Sequence, residues 1–377
     1  MIEKILFVAS TFSHIYNFHL PYLKHFAEQG YEVHIMANGD ISTIPSEYKS
    51  ISIPFQKSMF SIKNINTAMQ IAKTIKTEKY DVVYMHTSLA AFFTRLGILF
   101  SSYKPKLVIN MVHGYLFDNK SSFVKRNLML IAEKLTKSVT DVIMVMNQED
   151  LQIATKHKLC KGNIHFVKGV GVDFARFPSK YTMGVAKLRE ALGYTENDFL
   201  LIYTAEFSKR KNQQFLINAV SKLKSDGYPV KLLLLGNGGL MDGCMQQAKD
   251  LNLQNEVVFV GYTRETPEYY QLADVCVSSS RSEGLPFNIM EAMSSGLPIV
   301  ATKVKGHTDL VTPNENGYLF EFDDLDQFTS QIKALYNNRD ICTQMGQTSV
   351  SMSKQFAIDV VKPQIIGIIE KEIEYHK

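Results

Sequence analysis

At 377 residues, 45% hydrophobic and 21% charged, with a mean hydropathy of −0.07, the chain is longer than one hydrophobic core serves and reads as a soluble two-domain protein. No window approaches the ~18 apolar residues of a membrane span, and the opening MIEKILFVAS is too short and too acidic for a secretory leader. Four scattered cysteines (Cys160, Cys244, Cys276, Cys342) without a CxxC pair speak against a zinc site or a disulfide framework and fit a reducing cytoplasm. The net charge of +4 is uneven: residues 1–180 carry 22 Lys+Arg against 13 Asp+Glu, a net +9, and the remainder carries 19 against 24, a net −5. The basic front half suits phosphates, nucleic acid or an anionic membrane surface.

In chain order, KILFVAS reads as a buried first strand, LPYLKHFAEQG as a helix stopped by Gly30, and EVHIMA as the next strand. Helix INTAMQIAKTIKTE, strand DVVYMHT, helix LAAFFTRLGILF, strand KLVINMVH, the long helical SFVKRNLMLIAEKLTKS, and strands DVIMVMN and IHFVKG continue the alternation. Continuous apolar strands between helices predict a parallel sheet covered on both faces. The period lapses over GVDFARFPSKYTMG, a candidate linker. It restarts with FLLIYTAEF, NQQFLINAVSKLK, VKLLLLG, LMDGCMQQAKDLN, VVFVGY, TPEYYQLAD and VCVSSS, followed by strands PIVAT and GYLF and by helices near 325–337 and 360–375. The expectation is therefore an α/β protein with two doubly wound domains, 1–176 and 183–358, and a closing helix over 359–377 that returns toward the first. Ligands of such sheets bind at the carboxyl ends of the strands, so two facing edges imply a cleft.

The segment SSSRSEGLPFNIMEAMSSGLPIVAT, Ser278–Thr302, carries Glu283 and Glu291 eight positions apart. Pro286 suits the first turn of a helix, FNIMEAMSS continues it, and Gly296 with Pro298 ends it. Glu283 then lies at a helix N-terminus, a natural phosphate site, and Glu291 a little over two turns further on, on roughly the same side. Carboxylates repel phosphate, but they accept hydrogen bonds from hydroxyls at either end of it. A nucleotide sugar has that layout.

EGLPFNIMEAMSSGLPIVAT resembles the E-x7-E segment of family 4 retaining glycosyltransferases, enzymes of the GT-B fold, in which two Rossmann-like domains face each other across a cleft. NFHLPYLKHFAEQGYEV, DVVYMHTSLAAFFTRL, VHGYLF, VMNQEDLQIA, GVGVD, KNQQFLINAV, LLLLGNGGL, VVFVGY and GHTDLV…NGYLF have counterparts in the same order, so the resemblance covers nearly the whole chain. It is closest in character to enzymes that build bacterial capsular or exopolysaccharide.

By that resemblance, Glu283 holds hydroxyls of the transferred sugar, with the backbone of Gly284, Leu285 and Phe287 nearby, and Glu291 holds ribose hydroxyls. Lys211 contacts the diphosphate. The companion arginine is missing, Glu206 stands in its triplet, and Lys209 or Arg210 is the candidate substitute. Gly236 and Gly238 follow a strand, where a tight loop lets backbone approach the nucleotide; Tyr262 and Thr263 occupy the segment whose backbone reads the base. In the front domain His113 ends a strand, and its counterpart contacts the transferred sugar and helps stabilise the charged transition state. His86 reads first as core packing. His14 and His19 are expected to line a glycine-free loop on the acceptor side.

DDLD, Asp323–Asp326, contains a D-x-D but precedes a helix and reads as N-cap chemistry, so no metal and no cofactor beyond a nucleotide-sugar co-substrate, a UDP-sugar, is expected. The expected reaction is retaining transfer to a saccharide on polyprenyl diphosphate, with the leaving diphosphate taking the acceptor's proton. A nucleotide-sugar 2-epimerase and a non-catalytic sugar-binding protein stay open as alternatives. Nucleic acid is not an expected partner. The segment Lys120–Lys137 carries Lys120, Lys125, Arg126, Lys134 and Lys137 against Glu133, with Phe123, Leu128, Leu130, Ile131 and Leu135 as apolar area. Its apolar side is expected to pack on the sheet while its basic residues reach lipid headgroups on the inner face of the cell membrane.

Overall fold

A computed structural model of the chain describes residues 3–56, 58–59, 61–182, 185–195 and 197–377. They divide into two compact units, one running to Gly171 and taking in Asp359–Lys377, the other Val172–Ile358.

In the first unit, β1 (Lys4–Thr11), β2 (Glu32–Asn38), β3 (Lys49–Ser52), β4 (Val82–His86), β5 (Leu107–Val112), β6 (Val142–Val145) and β7 (Ile164–Phe166) pair in the order β3-β2-β1-β4-β5-β6-β7. All pairs are parallel, with Leu6 opposite both His34 and Val83. The helices are α1 (Phe12–Phe18), α2 (Leu20–Glu28), α3 (Lys63–Glu78), α4 (Ser88–Phe100), α5 (Phe123–Thr136) and α6 (Gln148–His157). Every residue of β4 and β5 is buried, as a central strand covered on both faces requires. Leu6, Val8, Val83, Met85 and Val108 meet Ile71 and Ile75 of α3 and Ala90 and Phe93 of α4 in one core cluster. Burying each such large aliphatic or aromatic side chain stabilises the fold by roughly 1.5–3 kcal/mol.

The second unit repeats the scheme. Strands β8 (Phe199–Thr204), β9 (Val230–Leu235), β10 (Val257–Gly261), β11 (Val275–Ser278), β12 (Ile299–Thr302) and β13 (Gly317–Phe320) pair in parallel in the order β10-β9-β8-β11-β12-β13. Its helices are α7 (Val185–Ala191), α8 (Gln213–Ser225), α9 (Met241–Asp250), α10 (Thr266–Leu272), α11 (Phe287–Ser294), α12 (Leu325–Asn337) and α13 (Arg339–Ser353). The final helix, α14 (Ile358–Tyr375), packs in the first unit beside β7, where Asn163 Nδ2 donates to Glu372 at 2.7 Å.

Three features depart from the sequence pattern. The strand β3, KSIS, is a short, half-exposed edge strand without apolar alternation. Helix α13 buries only Cys342, Met345, Gly346, Ser349 and Ser353, too polar a set to show as a stripe. The described part of the irregular segment after Gly171 is docked on the second unit: the Phe177 carbonyl accepts from Ser294 Oγ at 3.0 Å, and the Tyr181 hydroxyl donates to the carbonyls of Gly296 and Thr343.

In each sheet the chain works outward from its first strand and then jumps back beside it, between β1 and β4 and between β8 and β11. The connections on either side of that jump leave by opposite faces, which opens a crevice at the carboxyl ends of the two strands.

Candidate functional site

At the β8–β11 crevice two loops are stitched together. After Thr204 the chain forms AEFSKRKN, in which Asn212 adopts a left-handed conformation, φ 58°. Ser279 Oγ donates to the carbonyls of Lys211 and Asn212 at 3.0 and 2.9 Å, the Tyr203 hydroxyl donates to the Lys211 carbonyl at 3.2 Å, and the Arg281 N–H donates to the Arg210 carbonyl at 2.8 Å. These bonds bring two residues of the first loop against a glutamate of the second. Lys211 Nζ lies 2.6 Å from one oxygen of Glu283, and Arg210 lies 3.0 Å from the other.

Glu283 is only 8% exposed. Burial pushes its carboxyl up, but the Lys211 ammonium, then Arg210 and His307, outweigh it and hold the group down at about 2. The carboxylate is therefore ionised and carries two charge-assisted bonds. His307 is an electrostatic neighbour of Glu283 that sequence reasoning passed over inside GHTDLV. It is buried, with Nδ1 2.8 Å from the Thr302 carbonyl and Nε2 3.2 Å from Ser278 Oγ. A carbonyl only accepts, so Nδ1 carries the proton and Nε2 receives the serine hydroxyl. Burial keeps this ring neutral, its pKa lowered to about 4 despite Glu283. Gly306, φ +80°, brings its turn so close to Gly284 that a Cβ there would stand 2.5 Å from the Gly284 oxygen.

Pro286 is the N-cap of α11, with φ −75° and ψ 119°, rather than a residue of its first turn as the sequence suggested. Its extended backbone leads into Phe287, and no side chain caps the helix. Asn288 Nδ2 donates to the Thr204 carbonyl at 3.0 Å and ties α11 to the end of β8. Glu291 lies further along the helix, partly exposed, with the Tyr270 hydroxyl 3.4 Å away. Desolvation dominates here and raises its carboxyl to about 7, with Arg176 and Tyr270 pulling the other way. The two glutamates of one segment thus sit on opposite sides of the ordinary carboxylate range.

The remaining expected residues are more dispersed. Leu285 is buried. Lys209 and Glu206 have exposed side chains; the Lys209 carbonyl accepts from Arg281 Nε and the Glu206 carbonyl from Gln213 Nε2. Gly236 and Gly238 let the loop after β9 lie against the loop after β8: a Cβ would stand 2.2 Å from the Ala205 oxygen at the first and 2.4 Å from the Phe207 oxygen at the second. Their smallness serves that loop–loop contact. Tyr262 is 73% exposed, and Thr263 Oγ1 accepts from the Glu265 N–H. Asp324 accepts from the Gln327 N–H at 2.9 Å and caps α12.

The first unit gathers histidines at its own crevice. His14 and His19 do not line a loop: β1 runs directly into α1, with Thr11 accepting from the His14 N–H, and His19 is the joint between α1 and α2. His86 ends β4 and His113 follows β5. The His19 and His86 rings stack at 3.7 Å, the His14 and His113 rings meet edge-on at 4.8 Å, and His113 Nε2 is 3.4 Å from His86 Nδ1. Desolvation lowers all four imidazole pKa values, that of His14 to about 4. They are uncharged at neutral pH.

On the same unit, α5 overturns the expected packing of its apolar side. Its inner face is Met129, Leu130, Glu133 and Thr136, and Arg95 of α4 grips Glu133 with two bonds of 2.9 and 3.1 Å, both side chains buried. The outer face exposes Phe123 and Val124, each 74% accessible, with Leu128, Ile131 and Leu135. These positions lie on one side of a helix of 3.6 residues per turn. Lys120, Lys125 and Lys134 are exposed around them.

Residues 4–152 match the family model "Glycosyl transferase 4-like", and residues 185–352 match "Glycosyl transferases group 1". A Bacillus subtilis protein described as putative glycosyltransferase EpsD is 33% identical over 357 residues, 95% of this chain and 93% of that protein. The Escherichia coli UDP-Gal:alpha-D-GlcNAc-diphosphoundecaprenol alpha-1,3-galactosyltransferase is 26% identical over 274 residues, 72% of this chain and 70% of the relative. Among solved structures, Anabaena HepE in complex with UDP and glucose superposes with a TM-score of 0.76 at 18% identity, covering 98% of this chain and 99% of HepE.

Proposed function

Starting from a chain that belongs to the group 1 glycosyltransferases and has the GT-B fold, we propose that it moves a sugar from a UDP-sugar to a saccharide on polyprenyl diphosphate, with retention of anomeric configuration. The product is a bacterial surface polysaccharide. The observation that carries this reading is the Lys211–Glu283–Arg210 cluster at the β8–β11 crevice, immediately ahead of α11. Support for the donor comes from HepE, which binds UDP and glucose, and for the acceptor from the Escherichia coli relative, whose acceptor sugar sits on diphosphoundecaprenol.

The chemistry follows from exchange of partners. An arriving diphosphate draws Lys211 and Arg210 from Glu283, and Arg210 thereby fills the place of the missing family arginine. Glu283 then accepts hydroxyls of the transferred sugar, and Glu291 accepts those of the ribose. As the glycosidic bond breaks, negative charge grows on the diphosphate between two cations and the N-terminus of α11, the pre-organised stabilisation that dominates such transfers. The leaving oxygen takes the proton of the acceptor hydroxyl on the same face, so no enzyme base and no metal ion is required. His113 supports the positive charge that develops on the sugar. The front domain takes the acceptor, and α5, with its exposed apolar stripe and flanking lysines, rests on the anionic inner face of the cell membrane.

The test is a panel of UDP-, GDP- and ADP-sugars scored by nucleotide release, with and without polyprenyl-diphosphate saccharide, and NMR of the product anomer. We expect release from a UDP-sugar only with acceptor, and an anomer of unchanged configuration. Acceptor-independent turnover or an inverted product would refute the proposal.

A further inference from the structure

The four histidines gathered at the first unit's crevice, His14, His19, His86 and His113, are more than a packed aromatic cluster. His14 Nε2, both ring nitrogens of His19 and His86 Nε2 are buried without a hydrogen-bond partner among the described residues. Each such orphaned polar atom costs about 1–3 kcal/mol. Phenylalanine would stack as well and leave no orphan. What distinguishes imidazole from a phenyl ring is its nitrogen lone pair, which a metal ion can take up.

We propose that His14, His19 and His113 form a binding site for a borderline divalent transition metal, with zinc(II) as its representative. One ligand atom from each of the three lies within 4.8 Å of the others. Zinc–nitrogen bonds of about 2.0–2.1 Å in a tetrahedral set place the nitrogens roughly 3.3–3.4 Å apart, so ring rotations that shorten the widest separation by about 1.4 Å close the set. An all-imidazole set selects zinc, cobalt, nickel or copper over magnesium and manganese, which take oxygen ligands. Three protein ligands leave a fourth position open. His86 stands behind as the orienting group, its Nδ1 3.4 Å from His113 Nε2, which leaves His113 Nδ1 to face the metal. This site belongs to the first unit, whereas Lys211 and Arg210 belong to the second, and it needs no donor. A metal bound there occupies His113 and so inhibits transfer, a consequence that rests on the role given to His113 above.

The test is titration of the full chain with cobalt(II), followed by its visible absorption, and displacement by zinc. We expect one metal per chain. Affinity should fall about tenfold or more in His14→Gln and in His19→Gln, by comparison with losses for residues that only orient ligands. Circular dichroism and thermal unfolding show whether each variant is folded, and calorimetry with UDP shows that the other unit is intact. Independently of any variant, the zinc X-ray absorption spectrum of the parent should show nitrogen ligands at about 2.0–2.1 Å. Absence of a cobalt band, a band unaltered in both variants, or a zinc shell of sulfur or carboxylate ligands overturns the site. Metal binding without inhibition keeps the site and removes His113 from the reaction.

Discussion

In both units the chain jumps back beside its first strand and opens a crevice at the same topological position. At the β1–β4 crevice four rings sit uncharged, with orphaned nitrogens and no acidic partner in their contacts among the described residues. At the β8–β11 crevice a buried carboxylate is held between a lysine and an arginine. The backbone plan supplies the place, and a handful of residues at the strand ends decide what binds there. A crevice of neutral imidazoles presents lone pairs; one holding a displaceable ion pair presents cations and a carboxylate together, which suits a diphosphate carrying a sugar.

The largest effect should come from the buried pair that has no part in this contrast. Arg95–Glu133 fastens α5 to α4, and Glu133→Ala leaves a buried guanidinium unpaired, at about 3–5 kcal/mol. Urea unfolding should show that loss while UDP affinity in the other unit stays as it was; a changed UDP affinity would mean the units are not independent. Next, Lys211→Ala should lower the transfer rate on the order of 10²–10³-fold, the cost of removing one donor aimed at developing charge. An unchanged rate would reduce the Lys211–Glu283 pair to a structural salt bridge.

Glu291→Ala should weaken UDP binding by about 1.5–3 kcal/mol in calorimetry, the loss of charge-assisted hydrogen bonds. The two glutamates also give opposite pH signatures. The Glu291 carboxyl is raised from its ordinary 4.5 to about 7, so its contribution to stability falls as pH rises through that window. Glu283, lowered from 4.5 to about 2, contributes stability above about pH 4.5 that is lost as pH falls toward 2. Thermal unfolding against pH should therefore find Glu291→Gln gaining on the parent as pH rises from about 4.5 to about 7, and Glu283→Gln falling behind it as pH rises from about 2 to about 4.5. UDP affinity should weaken in the parent as pH drops through about 7, with a flatter profile in Glu291→Gln. A smaller effect is expected at α5. Changing Lys125 and Arg126 to glutamate should weaken sedimentation with anionic vesicles by roughly 1 kcal/mol per removed cation, before the added repulsion. Indifference to both anionic lipid and salt would remove the membrane from this account. The smallest effect, none at all, is expected of excess chelator on transfer by the metal-free protein; loss restored by magnesium or manganese would give the diphosphate a metal after all.

Continuous apolar runs made the sheets legible, because strands buried on both faces leave no polar alternation, as in β4, β5 and β8. The glutamate segment was legible because both carboxylates and the helix punctuation lie within one stretch of chain. The histidine cluster was not, since residues 14, 19, 86 and 113 meet only through the order of β1, β4 and β5. Nor could periodicity tell which side of α5 faces out. The buried side contains Glu133, and that charge is tolerable inside only because Arg95 arrives from α4. Arg210 and Lys209 looked equivalent in SKRKN, and only the turn around Lys211 and Asn212 directs the arginine to Glu283.

The Lys211–Glu283 contact has a bearing on turnover. On the proposed function, once the sugar has departed the glutamate has lost its hydroxyls while the spent nucleotide still holds the cations. A buried carboxylate without partners is costly, and it recovers them only by taking Lys211 and Arg210 back. On that function the site would work against its own product: closing the ion pair would expel UDP, and UDP alone should hold less tightly than the donor whose sugar keeps Glu283 satisfied.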